Sequence, residues 1–459
     1  KIEQIYPGCL AEAAYYIQSQ GEAIIIDPLR ETSPYIERAE KDNAKIKYVF
    51  LTHFHADFVS GHVDLANKTG ALIVFGPNAK ADFDFHVAQD GEEFKIGELT
   101  LKLLHTPGHT MESSSLLLLD KEGKENCVFT GDTLFIGDVG RPDLAVKSDI
   151  TQEDLAAHLF DSLRSKLMTL PDSVIVYPSH GAGSACGKNM SKETFDTLGH
   201  QKEVNYALRA DMTKAEFVKE VLTGLTSPPA YFPKNVAMNK SVNTGIDHIL
   251  KTGTIALDAD TFKSMASNEG AMIIDTRHQT SFTEEHIPGS IFFGIDGGFA
   301  PWVGTLVSDI NQPIIIVADE GREEEVVTRL SRIGYDNSLG FLKGGITAWK
   351  EAGLETSSII SLQPSEIVEL VNAEKSNLVD IRKPSEFLSE HVEEAVNAPL
   401  DVINDQMDDL SKDITYHVHC AGGYRSVIYI SIMKSRGYHN LIDVAGGYGL
   451  IKKTEGFHL

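Results

Sequence analysis

Thr52-His53-Phe54-His55-Ala56-Asp57-Phe58 follows the apolar run Lys47-Tyr-Val-Phe-Leu51. A strand that ends in His-x-His-x-Asp aims alternate side chains at one point, so a rigid sheet edge presents imidazoles and a carboxylate together. Further along, the pattern recurs: His109 in Thr-Pro-Gly-His-Thr, Asp132 in Phe-Thr-Gly-Asp-Thr and His180 in Pro-Ser-His-Gly, the last two directly after short apolar runs. Several segments thus bring a His or an Asp to one edge, which points to a metal site.

Around these motifs residues 1–240 alternate short strands and helices. Ala23–Asp27, Tyr48–Leu51, Leu72–Phe75, Leu99–Leu104, Ser115–Leu119, Val128–Thr130 and Val174–Tyr177 read as strands. Thr151–Met168 reads as one amphipathic helix, with Leu155, Leu159, Leu163 and Leu167 at i, i+4 spacing. The Pro- and Asn-rich stretch 224–245 fits a boundary and equally fits a strap around the first domain. After residue 253 the chain repeats itself. Ile273-Ile-Asp-Thr-Arg277 matches Leu378-Val-Asp-Ile-Arg382, Glu285-His286 matches Glu390-His391 at the same interval, and Leu342-Lys-Gly-Gly matches Val444-Ala-Gly-Gly. Alternating strand and helix in each repeat implies a parallel sheet.

The motif order in the first half resembles the metallo-β-lactamase superfamily. Its two-metal hydrolases continue His-x-His-x-Asp with a further His that holds the second metal; Phe58 stands there and cannot ligate. Thr130-Gly-Asp-Thr-Leu-Phe-Ile-Gly-Asp-Val-Gly-Arg-Pro-Asp143 resembles the persulfide dioxygenase branch. That resemblance implies one Fe(II) per chain on His53, His109 and Asp132. Two imidazoles and a carboxylate with open positions suit iron that must meet both substrate and O2, whereas zinc suits hydrolysis with one bound water. His55, Asp57 and His180 are then expected to orient the ligands. Arg141 resembles a family position near the substrate thiol, with a buried salt bridge to Asp143 or Asp138 as the alternative. Cys186, six residues after His180, is a pocket-rim candidate for sulfur handling or an inert loop cysteine. His62 is expected on the surface at a helix start, and Cys9 and Cys127 in the core.

The two repeats resemble rhodanese domains. The fold expectation is therefore an α/β chain: a metallo-β-lactamase-like αββα sandwich (1–245), then two rhodanese-like doubly wound parallel-sheet domains, 253–355 and 360–459. In the second, Cys420-Ala-Gly-Gly-Tyr-Arg-Ser426 joins a strand to a helix. Gly422 and Gly423 allow a nest of inward N–H groups, and with Tyr424 and Ser426 they are expected to bind the substrate anion. The helix start and Arg425 add positive potential, so Cys420 is expected to be a thiolate nucleophile. In the first repeat Asp319 replaces that Cys and Glu323-Glu324-Glu325 replaces Tyr-Arg-Ser, which predicts a degenerate, inactive domain.

Composition agrees with a multidomain globular chain: 459 residues, 42% hydrophobic and 23% charged. A net charge of −25 disfavours nucleic acid and anionic membrane surfaces. No apolar run approaches the ~20 residues of a membrane helix, Lys1–Tyr6 carries no signal-peptide pattern, and four cysteines make no disulfide framework; a cytoplasmic location is expected. The implied activity is oxidation of a low-molecular-weight thiol persulfide by O2 to sulfite. Cys420 would carry sulfane sulfur onward to give thiosulfate, with the reverse transfer chemically allowed. Two rival readings stand beside it: a zinc thioester hydrolase of the glyoxalase II type carrying a rhodanese module, and a non-catalytic sulfur carrier. Which thiol bears the persulfide is not written in the sequence; a homo-oligomer is compatible with it.

Overall fold

Every second leucine of the strands Leu99–His105 and Ser114–Leu119 points the same way. Leu101, Leu103, Leu116 and Leu118 join Tyr15, Ile24, Ile26, Phe50 and Phe129 in one buried cluster. On the other face Leu104, Leu117 and Val128 meet Leu159, Leu163 and Leu167. Each fully buried leucine contributes roughly 1.5–3 kcal/mol, so the register of these strands is strongly determined. The computed structural model describes every residue except 8–9, 147, 374 and 407–409; Cys9 lies outside the described residues. It comprises two units, Lys1–Ile246 with Ser331–Gly334, and Asp247–Leu330 with Tyr335–Leu459.

The first unit stacks two six-stranded sheets. One runs Ile2–Ile5, Ala14–Ser19, Glu22–Ile26, Lys45–Phe50, Leu72–Phe75, His86–Val87 in chain order. The other is ordered Asp196–Thr197, Ile175–Pro178, Glu125–Gly131, Ser114–Leu119, Leu99–His105, Glu93–Ile96. Helices Ser33–Lys41 and His62–Thr69 cover the outer face of the first sheet through Tyr35, Ala39 and Leu65. The helix Gln152–Ser162 covers the second, which completes the αββα order. Thr151 caps that helix by accepting from Asp154 N while Asp154 accepts from Thr151 N. The continuous helix expected through Met168 instead becomes a π turn at Leu163–Leu167, although Leu163 and Leu167 still face the core.

The Pro- and Asn-rich stretch belongs to this unit. Within it the helix Phe232–Asn239 forms, and the Asn239 carboxamide donates to the carbonyls of His55 (2.9 Å) and Phe58 (2.7 Å) and accepts from Ser60 N at 2.8 Å. The segment therefore braces the His-x-His-x-Asp loop. His62 is not on the surface. It is buried at the start of its helix between Phe75 and Phe83, and burial pushes its pKa down to about 3.

The second unit holds two five-stranded parallel sheets of identical topology. Their orders are Ala256–Leu257, Ser338–Leu342, Ile314–Val317, Met272–Asp275, Ile291–Phe292 and Ser361–Leu362, Leu441–Val444, Tyr416–His419, Asn377–Asp380, Val396–Asn397. The repeated sequence motifs are structural clamps. Arg277 donates to Asp275 (2.7 Å) and to the Glu285 carbonyl (2.8 Å); Arg382 donates to Asp380 (2.6 Å) and to the Glu390 carbonyl (2.8 Å). His286 and His391 likewise each meet a carbonyl four residues back, at 2.7 and 2.8 Å. No helix among the described residues is long and apolar enough to cross a membrane.

Candidate metal centre and cysteine loop

His53, His109 and Asp132 converge at the sheet edge: one donor atom from each lies within 4.8 Å of the others, and all three are buried. His109 Nε2 is 3.5 Å and His53 Nε2 3.9 Å from Asp132 Oδ2. The surrounding hydrogen bonds determine which ring nitrogens are free. Thr52 Oγ1 donates to Asp27 Oδ2 at 2.7 Å, so it accepts from His53 Nδ1 at 3.0 Å. His109 Nδ1 donates to the Arg141 carbonyl at 2.8 Å. Both Nε2 atoms are thereby left as lone-pair donors. Burial, then the neighbouring imidazoles, holds the His53 pKa well down, which keeps the ring in the neutral form that can ligate. Neither carboxylate oxygen of Asp132 has a hydrogen-bond partner. Two imidazole lone pairs facing an orphaned buried carboxylate fit a divalent metal. Gly140 is required here, because a Cβ on it would meet the Asp132 carbonyl oxygen at 1.9 Å and His109 Nδ1 at 3.2 Å.

The other sequence candidates take different places. His55 Nε2 lies 2.9 Å from Asp27 Oδ1. Burial works against its charge, but Asp27, Asp57 and Asp132 outweigh that and raise its pKa. Phe58 is fully buried with its ring 4.4 Å from that of His55. Asp57 and His180 sit together, Nε2 to Oδ2 3.5 Å, with Cys186 in ligand range of both. Burial first, then Asp57 and Asp132, raises the Cys186 pKa well above that of an ordinary thiol, which does not suit a nucleophile. Arg141 resolves to the salt bridge: Nε and Nη2 grip Asp143, both at 2.7 Å, and the remaining donors hold the Ala185 and Thr226 carbonyls. Its guanidinium clamps loops and its carbonyl orients His109. Cys127 is core, with burial raising its pKa to about 12.

Three features carry no motif and were not anticipated. Asp27 holds both Thr52 and His55. Glu12, fully buried, lies 3.0 Å from His180 Nδ1; burial and then Asp57, Asp27 and Asp132 push its pKa well above the ordinary carboxyl value. A pocket of about 270 Å³ opens on His109, walled by Phe54, Leu144, Ile150, Phe232 and Val236, with Glu112 and Lys240 as its charged members beside Asp143.

In the second unit Cys420 is buried at the end of Tyr416–His419. Gly423 N–H donates to its sulfur at 3.1 Å, and Ser426 Oγ lies 3.7 Å away while donating to Asp443 at 2.7 Å. Gly447 permits the close approach of the neighbouring loop, since a Cβ there would sit 2.3 Å from the Cys420 carbonyl oxygen. A cavity of about 450 Å³ adjoins Gly422 and Gly423. Arg425 is not free: it forms a bidentate pair with Glu386 at 2.7 and 2.8 Å. Tyr424 is an anchor between the repeats, its hydroxyl donating to the Gly294 carbonyl at 2.7 Å and its ring against Phe292. At the matching loop Asp319 stands in place of the thiol, and Arg322 is held by Asp296 and Glu325.

The family model "Metallo-beta-lactamase superfamily" matches residues 7–180, and "Rhodanese-like domain" matches 258–352 and 363–454. The probable hydroxyacylglutathione hydrolase glo2 of Schizosaccharomyces pombe is 32% identical, over 42% of this chain and 72% of that protein. The mitochondrial persulfide dioxygenase ETHE1 of Mus musculus is also 32% identical, over 45% of this chain and 73% of that protein. A metallo-beta-lactamase from Staphylococcus aureus superposes with a TM-score of 0.65 at 30% identity, covering 74% of this chain and 98% of that one.

Proposed function

Since the chain belongs to the metallo-β-lactamase superfamily and carries two rhodanese-like domains, we propose that it is an iron-dependent persulfide dioxygenase coupled to a sulfurtransferase. The observation that carries the reading is Phe58, buried against His55 while Asp27 engages His55. It leaves His53, His109 and Asp132 as a two-imidazole, one-carboxylate set with both Nε2 atoms directed inward.

Iron held by these three residues would supply O2 activation, for the overall reaction R–S–SH + O2 + H2O → R–SH + sulfite + 2 H⁺. The chain's own residues do the rest. The apolar pocket beside His109 takes the thiol's carbon skeleton and excludes water, and Glu112 and Lys240 meet its polar end. Thr52 and the Arg141 carbonyl hold the two ligand rings in one tautomer and one orientation. In the last domain the Cys420 thiolate attacks the sulfane sulfur of R–S–SH. The S–S bond breaks, R–SH leaves with the proton, and Cys420 carries a persulfide. Sulfite then takes the terminal sulfur as thiosulfate and the thiolate returns. Gly423 N–H faces the sulfur throughout. We assign 1–245 to the oxidising domain, 253–355 to an inactive structural repeat and 360–459 to the transferase. The free thiols Cys127, Cys186 and Cys420 support a cytoplasmic setting.

The equal identity to a hydroxyacylglutathione hydrolase favours one rival, a zinc thioester hydrolase. Metal content and O2 uptake separate the two. Iron-loaded protein should consume O2 with glutathione, coenzyme A, cysteine or bacillithiol persulfide, and His53→Ala and Asp132→Ala should lose both iron and uptake. Zinc-loaded protein that hydrolyses a glutathione thioester, with no O2 uptake in the iron form, would replace this reading.

A further inference from the structure

The two repeats differ at a second place besides the cysteine loop, one strand away. On the strand Leu441–Val444 of the last domain stands Asp443, in register with Val418 on one side and Ser361 on the other. The equivalent strand of the first repeat carries Phe341 there, in register with Ile316 and Ala256. The same topology therefore forms without the acid, and a carboxylate buried in a sheet is costly unless it is hydrogen-bonded.

Asp443 is 3% exposed, and both of its oxygens are engaged. Ser426 Oγ donates to Oδ1 and Ser361 Oγ to Oδ2, each at 2.7 Å. With its proton spent on Asp443, Ser426 turns its lone pairs to Cys420, whose S–H donates to Ser426 Oγ at 3.7 Å. The bonds run in one direction, thiol to hydroxyl to carboxylate, and end at the cavity that Asp443 and Ser361 line. In the first repeat Glu325 stands for Ser426 and Ala256 for Ser361, so every member of the series is lost together with the thiol.

We propose that Asp443 is a positioning residue for sulfur transfer: it aims the Ser426 hydroxyl at Cys420 and, through it, takes up the thiol proton as the nucleophile forms. The Cys420 S–H bond breaks as its proton passes to Ser426 Oγ, and the Ser426 proton passes to Asp443 Oδ1. The thiolate attacks the sulfane sulfur, and R–S⁻ leaves and takes a proton from water in the cavity. Asp443 then returns its own proton to that water. One S–S bond replaces another, with no outside oxidant or reductant. Burial lifts the Asp443 carboxyl above the ordinary carboxylate range, which makes it a better proton acceptor than an exposed one. Val418 and Ser361 flank it without charge, and Arg425 on the adjoining helix is paired with Glu386. Among the described residues, Glu284 is the other titratable group on the cavity wall. The relay rests on the transferase reading of Cys420 and is independent of the dioxygenase.

The test is kcat/KM for thiosulfate, read as thiocyanate formation by the full-length protein and taken across pH as the ratio of wild type to variant. Thermal unfolding checks the fold. Asp443→Asn keeps the shape and lacks the proton acceptor. It should lose at least about tenfold near neutral pH, and the deficit should close above about pH 9, where solvent removes the proton of an ordinary thiol unaided. Ser426→Ala should show the same pH-dependent loss, whether or not Asp443→Asn folds. The double variant should lose no more than the larger single loss, because members of one relay are not additive. An Asp443→Asn rate equal to or above wild type would overturn the proposal, since the carboxylate would then be only a charge that hinders ionisation. A deficit constant across pH, or additive losses, would make Asp443 structural and overturn it too. Wild type that forms no thiocyanate defeats the transferase reading and the relay with it; an active wild type matched by Asp443→Asn defeats the relay alone.

Discussion

The two rhodanese-like repeats share strand order, Asp-x-Arg clamp and His-to-carbonyl bond, yet differ in the one loop where chemistry would occur. At Cys420 an N–H faces sulfur, and a cavity lies alongside. At Asp319 a carboxylate stands in place of the thiol, and Arg322 is consumed by Asp296 and Glu325. The comparison teaches that the repeated motifs report the fold, whereas the loop residues at Cys420 and Asp319 differ without changing it.

The largest effect should come from Cys420→Ser, which removes the nucleophile and should reduce cyanide-dependent thiocyanate formation from thiosulfate to the buffer rate. Persistence of activity would mean the loop is misassigned. The shared clamp gives the next effect. Asp275→Asn and Asp380→Asn each leave a buried arginine without its anion and should destabilise the second unit by about 3–5 kcal/mol, measured by thermal unfolding. Loss in one repeat only would break the equivalence of the two folds. Glu386→Gln should release Arg425 toward anions and lower the KM for thiosulfate severalfold with kcat little changed; an unchanged KM would leave Arg425 a purely structural residue. The same pair has a pH signature. Hydrogen bonding to Arg425 lowers the Glu386 pKa below its ordinary 4.5. Its stabilisation is therefore complete above about pH 4.5 and fades as pH falls through the lowered value. The smallest effect is a null: Asp319→Cys in a Cys420→Ser background should restore no thiocyanate formation, because Glu323, Glu324 and Glu325 occupy the positions of Tyr424, Arg425 and Ser426. Appreciable recovery would show that the thiol alone had been missing.

Much of this was legible in the sequence. His53, His109 and Asp132 announce themselves because strand-end motifs act locally, and the repeat is visible because its clamps need fixed residues. Glu12 and Asp27 were not legible: they reach His180 and His55 through tertiary contacts and belong to no motif. The stretch 224–245 has the composition of a linker, but Asn239 satisfies two carbonyls of the His-x-His-x-Asp loop. His62 looked like an exposed helix start, and only the packing of Phe75 and Phe83 buries it. Arg425 was assigned to anions because sequence spacing does not reveal that Glu386 lies opposite.

Under the proposed function, joining oxidation and transfer in one chain would raise the local concentration of sulfite near Cys420 relative to separate proteins. The most direct test is O2 uptake with product analysis for iron-loaded wild type and Cys420→Ser on the same persulfide. Non-enzymatic thiosulfate, from a metal-free control given sulfite, is subtracted. The account predicts similar uptake in both, with thiosulfate from wild type and sulfite from the variant. Equal thiosulfate from both proteins, or no uptake by either, would contradict it.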